Sequence, residues 1–182
     1  MTRPLRRAAA GCAIAAALTA PLVAQAASRG ALDRDASAAL RVLYAQQPSA
    51  KMLGQRARAI LVFPSIVKAG FMFGGAIGDG VLRKGGKTIG YYNSVAASYG
   101  FQAGIQRYGY ALFFMTDAAL DQLNSAGGFE LGVGPSVVLV DQGVARSLTT
   151  STIRDDVYAY VFSQKGLMAG AGIQGSKITR LD

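Results

Sequence analysis

Glycines near the end of the chain have the spacing of a phosphate-binding loop. The segment "GAGIQGSK" at residues 170–177 contains GxGxxG in Gly170, Gly172 and Gly175, and its end is one transposition from a Walker A loop. Such glycines hold a nucleotide phosphate only where the N-terminus of a helix follows them. Here the chain continues as "SKITRLD", which is β-branched and too short for that helix. We therefore predict that these glycines bind no nucleotide and no cofactor.

Other glycine-rich segments favour a conformational role. Four segments begin with glycine, a large apolar residue, two further residues and a second glycine, starting at Gly70, Gly100, Gly128 and Gly166. Glycine within a strand permits strong bending and the close approach of another backbone. The spacing is too irregular for a strict solenoid and favours strands of one curved sheet or barrel. The segment "GGKT" at residues 85–88 is interpreted as a hairpin turn.

The groups that most enzymes use are scarce in this sequence. The chain has no histidine, a single glutamate, Glu130, and a single cysteine, Cys12. Ser-His-Asp and Cys-His catalysis and histidine metal sites are therefore excluded. Asp155 and Asp156 form the only adjacent carboxylate pair, and neighbours on a strand point to opposite faces. We predict that the protein is not an enzyme.

The first residues have the pattern of a secretory signal peptide. An apolar run at residues 8–20 is followed by small residues at the cleavage positions of "AQA", which ends at Ala26. A basic segment precedes the run: Arg3, Arg6 and Arg7. An uncleaved anchor is the alternative, but spanning a bilayer takes about 20 apolar residues. We predict cleavage after Ala26, export to the periplasm or cell envelope, and loss of Cys12 with the signal peptide.

The remaining residues, 27–182, are predicted to form one basic domain. Without Arg3, Arg6 and Arg7, the 19 Lys and Arg residues fall to 16, against 10 Asp and Glu residues, which gives a net charge of +6. In an exported protein this excess favours anionic lipid headgroups or polymers over nucleic acid as partners. Plain solubility is the alternative explanation.

An amphipathic helix is predicted at residues 31–48, where Pro48 ends it. Ser49 can cap a second short helix, "SAKMLGQRA". The apolar stripe of the first helix consists of Leu32, Ala36, Ala39, Leu40, Leu43 and Tyr44. Basic residues cluster around both helices, namely Arg29, Arg34, Arg41, Lys51, Arg56 and Arg58. They form either the solvated outer side of a packed helix or a lipid-binding element on an anionic membrane.

The rest of the chain reads mainly as strands. "AILVFP" is a buried strand ending at Pro64, residues 96–117 contain two strands, and residues 128–143 contain one. Another strand lies at residues 155–166, and Asp117 can cap a short helix. The predicted fold is α+β. It has a mainly antiparallel, glycine-rich curved sheet or barrel of about seven to nine strands, N-terminal helices and one short internal helix.

Three long segments resemble the SYLF domain family. They are "RARAILVFPSIVKAGFMFGGAIGDGVLR", "YYNSVAASYGFQAGIQRYGYALFFMTDAALDQL" and "VYAYVFSQKGLMAGAGIQGSKITRL". The resemblance runs over about residues 32–181 and implies a non-enzymatic, lipid-binding domain. Eukaryotic members bind phosphoinositides, partly through an N-terminal amphipathic segment that corresponds here to residues 32–44, and some bind actin.

Two functions therefore remain open at the level of sequence. The first is binding of anionic lipid at a membrane surface, with the six basic residues named above as candidate lipid ligands. The second is a structural or partner-binding role in the envelope without lipid.

Overall fold

The computed structural model describes residues 20–71, 73–99, 104–125, 127–130, 134–149, 151–166 and 176–181. The chain forms two compact units, residues 1–31 and residues 32–182. The helices of the described residues are α1 (Ala20–Gln46), α2 (Pro48–Arg56), α3 (Asp117–Leu123) and α4 (Gln142–Ser147). The strands are β1 (Ala59–Phe71), β2 (Phe73–Lys84), β3 (Lys87–Tyr99), β4 (Gly104–Phe114), β5 (Phe129–Glu130), β6 (Val137–Leu139), β7 (Val157–Gly166) and β8 (Ser176–Leu181).

The strands form a single sheet in the order β5-β8-β3-β2-β1-β4-β7-β6. It is curled into a half-barrel, and all neighbouring strands are antiparallel except β6 and β7. The prediction of an α+β fold with a mainly antiparallel curved sheet of seven to nine strands is confirmed. A parallel pair needs a crossover, which residues 140–156 supply together with α4. The sequence predicts no helix long enough for a βαβ crossover, and α4 has only six residues.

Both faces of the sheet carry apolar side chains, as expected for strands that are covered on both sides. The inner face carries the larger core cluster, which includes Phe63, Tyr110 and Phe129, and α3 packs there through Ala119, Leu120 and Leu123. The outer face is covered over part of its area by α1, α2 and α4. Among the described helices, none is long and apolar enough to cross a bilayer.

Strand β1 does not end at Pro64, as the sequence predicted, but continues to Phe71. The pairing of β1 shifts register between Val62 and Val67 on the β2 side, and between Phe63 and Ile66 on the β4 side. Proline has no N–H to donate to a neighbouring strand, and a bulge leaves residues unpaired. Pro64 is therefore accommodated by a bulge within a continuous strand.

The predicted hairpin turn between β2 and β3 is confirmed at Gly85 and Gly86. Both residues have positive φ, 57° and 79°. A two-residue turn of this kind needs positive φ at both central positions, which glycine adopts without a steric penalty.

The predicted number of strands was wrong in two segments. Residues 96–117 contain one strand, β4, after the end of β3, whereas residues 128–143 contain β5, β6 and the start of α4. Helix α4 was missed. Its first turn is capped by Asp141, whose Oδ1 accepts a hydrogen bond from the Val144 N–H at 2.8 Å.

Both predicted caps were wrong in position, by two residues at α2, where Gln47 is the N-cap, and by one residue at α3. Helix α2 begins at Pro48, whose fixed φ suits the first helical position, so Ser49 lies inside the helix. Helix α3 is capped by Thr116, whose hydroxyl accepts from the Ala119 N–H at 3.3 Å, and Asp117 is the first helical residue. Each polar side chain that the sequence favoured as a cap therefore lies inside its helix, in the first turn.

Candidate functional site

Hydrogen bonds to Asp33 hold helix α1 on the outer face of the sheet. The Asp33 carboxylate accepts hydrogen bonds from the Thr88 hydroxyl at 2.7 Å and from the Tyr91 hydroxyl at 2.8 Å. Nη2 of Arg83 donates to the Asp33 carbonyl oxygen at 2.9 Å and to the Ser37 hydroxyl at 2.7 Å. This carboxylate therefore positions a helix, which is a structural role.

The apolar stripe of α1 faces the sheet. Ala36 and Leu43 are fully buried, Ala36 in a cluster with Val62 and Val81 and Leu43 in a cluster with Phe113. The other stripe residues are partly buried in the same two clusters: Leu32, Ala39, Leu40 and Tyr44. The helix is thus packed on the core, and its leucines are already engaged there.

The two predicted basic residues in the middle of α1 face solvent. Arg34 and Arg41 each lie two residues before a buried position, Ala36 or Leu43, which is about 200° around a helix. Both arginines are exposed, and they are two turns apart on the same side. Asp35 is exposed beside them and reduces the local positive charge.

The remaining predicted cations divide among three places. Lys51 and Arg56 are exposed on α2. Arg58 follows α2 and lies 3.7 Å from the Asp117 carboxylate, with both side chains more than half exposed, so this ion pair is weak. Arg29 lies in the first unit and is partly buried. Arg34 and Arg41 therefore share one helix side, and Lys51 and Arg56 share a second helix.

A groove of about 350 Å³ lies between the α1–α2 junction and α4. It is lined by Gln47, Pro48, Ser49, Ala145 and Arg146. The Ser49 hydroxyl accepts from the Tyr160 hydroxyl at 2.9 Å, which ties α2 to β7. Arg146 adds a cation next to α2, and it was not among the predicted residues because the sequence predicts no helix there.

The adjacent carboxylates Asp155 and Asp156 lie just before β7 and not on a strand, as had been assumed. Asp155 accepts from the Tyr158 hydroxyl at 3.2 Å. Asp156 accepts from the Ser136 N–H at 3.1 Å and from the Thr116 hydroxyl at 3.0 Å, and these bonds hold the pKa of its carboxyl below the usual range. The two groups therefore serve different local contacts and do not form a catalytic pair.

The phosphate-loop motif lacks the helix that it requires. Gly170, Gly172 and Gly175 lie outside the described residues, but the segment after them is strand β8. Without a helix N-terminus after the glycines, the reason for assigning a phosphate site there is gone.

Buried polar side chains form a row across the inner face of the sheet. The row lies near the start of β4, at the opposite end of that strand from α3. Lys68 on β1 and Gln106 on β4 are direct cross-strand partners, and both are buried. Ser176 and Ser94 are also buried, and the Gln106 Oε1 and Ser176 Oγ atoms have no hydrogen-bond partner. The apolar core therefore gives way to polar side chains at this end.

Comparison with known proteins agrees with the sequence resemblance. Residues 95–182 match the family described as Ysc84, Las17-binding protein actin regulator. The match begins within β3 and so leaves out α1, α2 and the predicted cations on them. A search of the curated proteins found no match. With the observed α+β fold, the match over residues 95–182 shows that the chain is a protein of the SYLF domain family, a family of binding domains.

Proposed function

We propose that the protein is an exported, non-enzymatic envelope protein that binds anionic lipid at a membrane surface through cations on α1 and α2. The observation that carries the proposal is the packing of α1. Its apolar side is fixed on the sheet, and Arg34 and Arg41 are exposed on the opposite side. Lys51 and Arg56 on α2 add two more exposed cations.

This arrangement favours electrostatic binding over insertion of the helix. Each cation near an anionic leaflet contributes about 1 kcal/mol, and the effect fades within a Debye length of about 10 Å at 0.1 M salt. Leu43 cannot enter lipid without leaving its buried place against Phe113. Binding through α1 should therefore be weak, dependent on anionic lipid and sensitive to salt.

Liposome flotation tests the proposal. We expect the protein to float with vesicles that contain phosphatidylglycerol, to float less with pure phosphatidylcholine, and to be released by 0.5 M salt. The double variant Arg34→Glu/Arg41→Glu should lose most binding and keep the melting temperature of the wild type, because both side chains are exposed.

The control is Lys84→Glu/Lys87→Glu, which changes the net charge equally at the exposed β2–β3 hairpin. It should bind like the wild type. Equal losses in both variants would mean that net charge alone governs binding. Flotation that is independent of lipid charge and of salt would reject the electrostatic proposal.

A protein partner is the second candidate function. It is favoured by the match to a family described by Las17 binding and actin regulation. If the wild type fails to float with either kind of vesicle, this structural or partner-binding role becomes the better explanation.

The proposal of export rests on the N-terminal sequence pattern. Cleavage after Ala26 would leave most of α1 in place, since that helix continues to Gln46. N-terminal sequencing of protein from the envelope fraction should begin at Ala27. An intact N-terminus, or an acylated one at Cys12, would contradict this part of the proposal.

A further inference from the structure

The helices leave one end of the sheet's outer face uncovered. At one end of β1 and β2, Val62 and Val81 are buried beneath α1. Beyond the bulge at Pro64, the outward residues of the same strands are Val67 and Ile77, and Ile77 is 57% exposed. The outer face is thus buried at one end of these strands and exposed at the other, with the exposed side chain of Asp79 between the two apolar parts on β2.

The exposed apolar residues are contiguous because the strands align them. Val67 pairs with Ile77, and Ile77 pairs with Val95, which is 50% exposed. In the next row, Ile105 is 63% exposed beside Ala69. Single exposed apolar residues are ordinary on protein surfaces, but a contiguous group marks an interaction surface. We call Val67, Ile77, Val95 and Ile105 the outer patch.

Val67, Ile77 and Val95 form one row across neighbouring strands, and cations lie at both ends of that row. On one side, Val67 pairs with Arg107, which pairs with Lys165; on the other side, Val95 pairs with Lys177. All three cations are exposed. From β8 to β7 the row spans six strands, or about 24 Å at the usual spacing between strands.

Two acidic side chains lie near the row and weaken its charge only in part. Glu130 is 4.0 Å from Lys177, and Asp79 accepts a hydrogen bond from the Asn93 amide at 2.7 Å. Among the described residues, no ion pair joins Arg107 or Lys165 to a carboxylate. The side of the row toward β4 and β7 therefore keeps its positive charge.

We propose that the outer patch is a second membrane-docking surface, where apolar side chains enter the interface of an anionic bilayer while Arg107 and Lys165 bind its headgroups. The inference rests on the proposed binding of the protein to anionic membranes. An apolar surface flanked by cations is the chemistry that such an interface selects. Pairing of two copies through this face is disfavoured, because it would bring the same cations together.

Two isoleucines provide the decisive variants. Ile77→Asp/Ile105→Asp places charge on the apolar part of the patch, and both positions are exposed enough to leave the fold intact. Ile89→Asp/Leu139→Asp is the matched control, because it adds the same two charges at positions outside the patch that are 43% and 49% exposed. We expect the double variant to partition onto phosphatidylglycerol vesicles about tenfold less than the wild type. The control should partition normally.

A spectroscopic probe tests the location directly. The chain contains no tryptophan, so one introduced tryptophan reports alone. Ile105→Trp should show a blue-shifted emission on phosphatidylglycerol vesicles and quenching by brominated lipid, since tryptophan prefers the membrane interface. Ile89→Trp should show neither effect.

The outcomes separate this inference from the proposal on α1. If Arg34→Glu/Arg41→Glu abolishes binding while the Ile77/Ile105 variant binds like the wild type, the outer patch is not a docking surface and the α1 proposal stands. If only the Ile77/Ile105 variant loses binding, the inference stands and the α1 site is rejected. A wild type that binds no vesicle rejects both. A dimer that Ile77→Asp/Ile105→Asp dissociates, with lipid binding unchanged, would overturn the inference in favour of self-association.

Discussion

Two buried tyrosines on the inner face differ in one hydrogen bond. The Tyr92 hydroxyl donates to Asn124 Oδ1 at 2.7 Å, whereas the buried Tyr110 hydroxyl has no partner. Burial raises the pKa of Tyr110 far above its usual value. An unpaired buried hydroxyl costs about 1–3 kcal/mol, whereas a paired one stabilises by about 1 kcal/mol.

Removal of each hydroxyl should therefore have opposite effects on stability. We expect Tyr110→Phe to leave the free energy of unfolding unchanged or to raise it, and Tyr92→Phe to lower it by about 1 kcal/mol. Urea denaturation followed by circular dichroism measures both. A clear loss of stability in Tyr110→Phe would show that its hydroxyl has a partner in solution.

Asp156 predicts a specific dependence of stability on pH. Its carboxyl pKa is lowered, chiefly by the Ser136 N–H and then by the Thr116 hydroxyl. A lowered pKa in the folded state means that the stabilisation is present above the unfolded pKa of about 3.9 and is lost as pH falls. Asp156→Asn should therefore be less stable than the wild type at pH 7, by about 1 kcal/mol after allowance for exposure to solvent.

The difference between wild type and Asp156→Asn should shrink as the pH is lowered below about 4. Melting curves between pH 2.5 and pH 7 provide the measurement. Asp121→Asn, at an exposed position on α3, is the control and should follow the wild type. A difference that stays constant with pH would mean that the charge of Asp156 does not matter.

At the scale of elements, the packing of β2 against β1 depends on a glycine that faces the core. A Cβ atom added at Gly80 would lie 2.6 Å from the Phe63 ring, whereas one added at Gly75 would meet only the Ala96 carbonyl oxygen at 3.6 Å. Gly80→Ala should lower the free energy of unfolding by about 1–3 kcal/mol through overpacking. Gly75→Ala, on the same strand, should have little effect. Thermal melts of both variants decide the matter, and equal stability would refute the packing argument.

The sequence predicted element types well and their boundaries less well. A short continuous apolar run identified β1, and a high content of β-branched and aromatic residues identified β7. Pro64 was taken as the end of β1 since a proline lacks an N–H, but the bulge that absorbs it depends on register with two neighbours. Helix α4 was missed because its six residues carry too little periodicity.

At the scale of the whole molecule, some residues of the candidate surfaces could be predicted from the sequence and others could not. Arg34 and Arg41 could be assigned to the outer side of α1 from helical spacing alone, as the structure finds. The outer patch could not be predicted, because its residues come from β1, β2, β3 and β4 and meet only through strand register. Lys165 and Arg107 are far apart in sequence and adjacent in the sheet.

The N-terminal residues should be dispensable for the stability of the second unit. The residues of α1 in its core clusters run from Leu32 to Tyr44. A protein of residues 27–182 should therefore melt within about 2 °C of the full chain. Differential scanning calorimetry of the two proteins measures this, and a large decrease would show that residues 1–26 support the fold.

In the part of the chain that the structure describes, the half-barrel remains open and its two outermost strands are very short. Strand β5 has two residues and strand β6 has three. A long free strand offers its N–H and C=O groups as a template for another chain, which is how sheets polymerise into aggregates. Edges this short provide room for only a few intermolecular hydrogen bonds. The fold can therefore expose an apolar sheet face to a partner while giving little opportunity for edge-to-edge fibril growth.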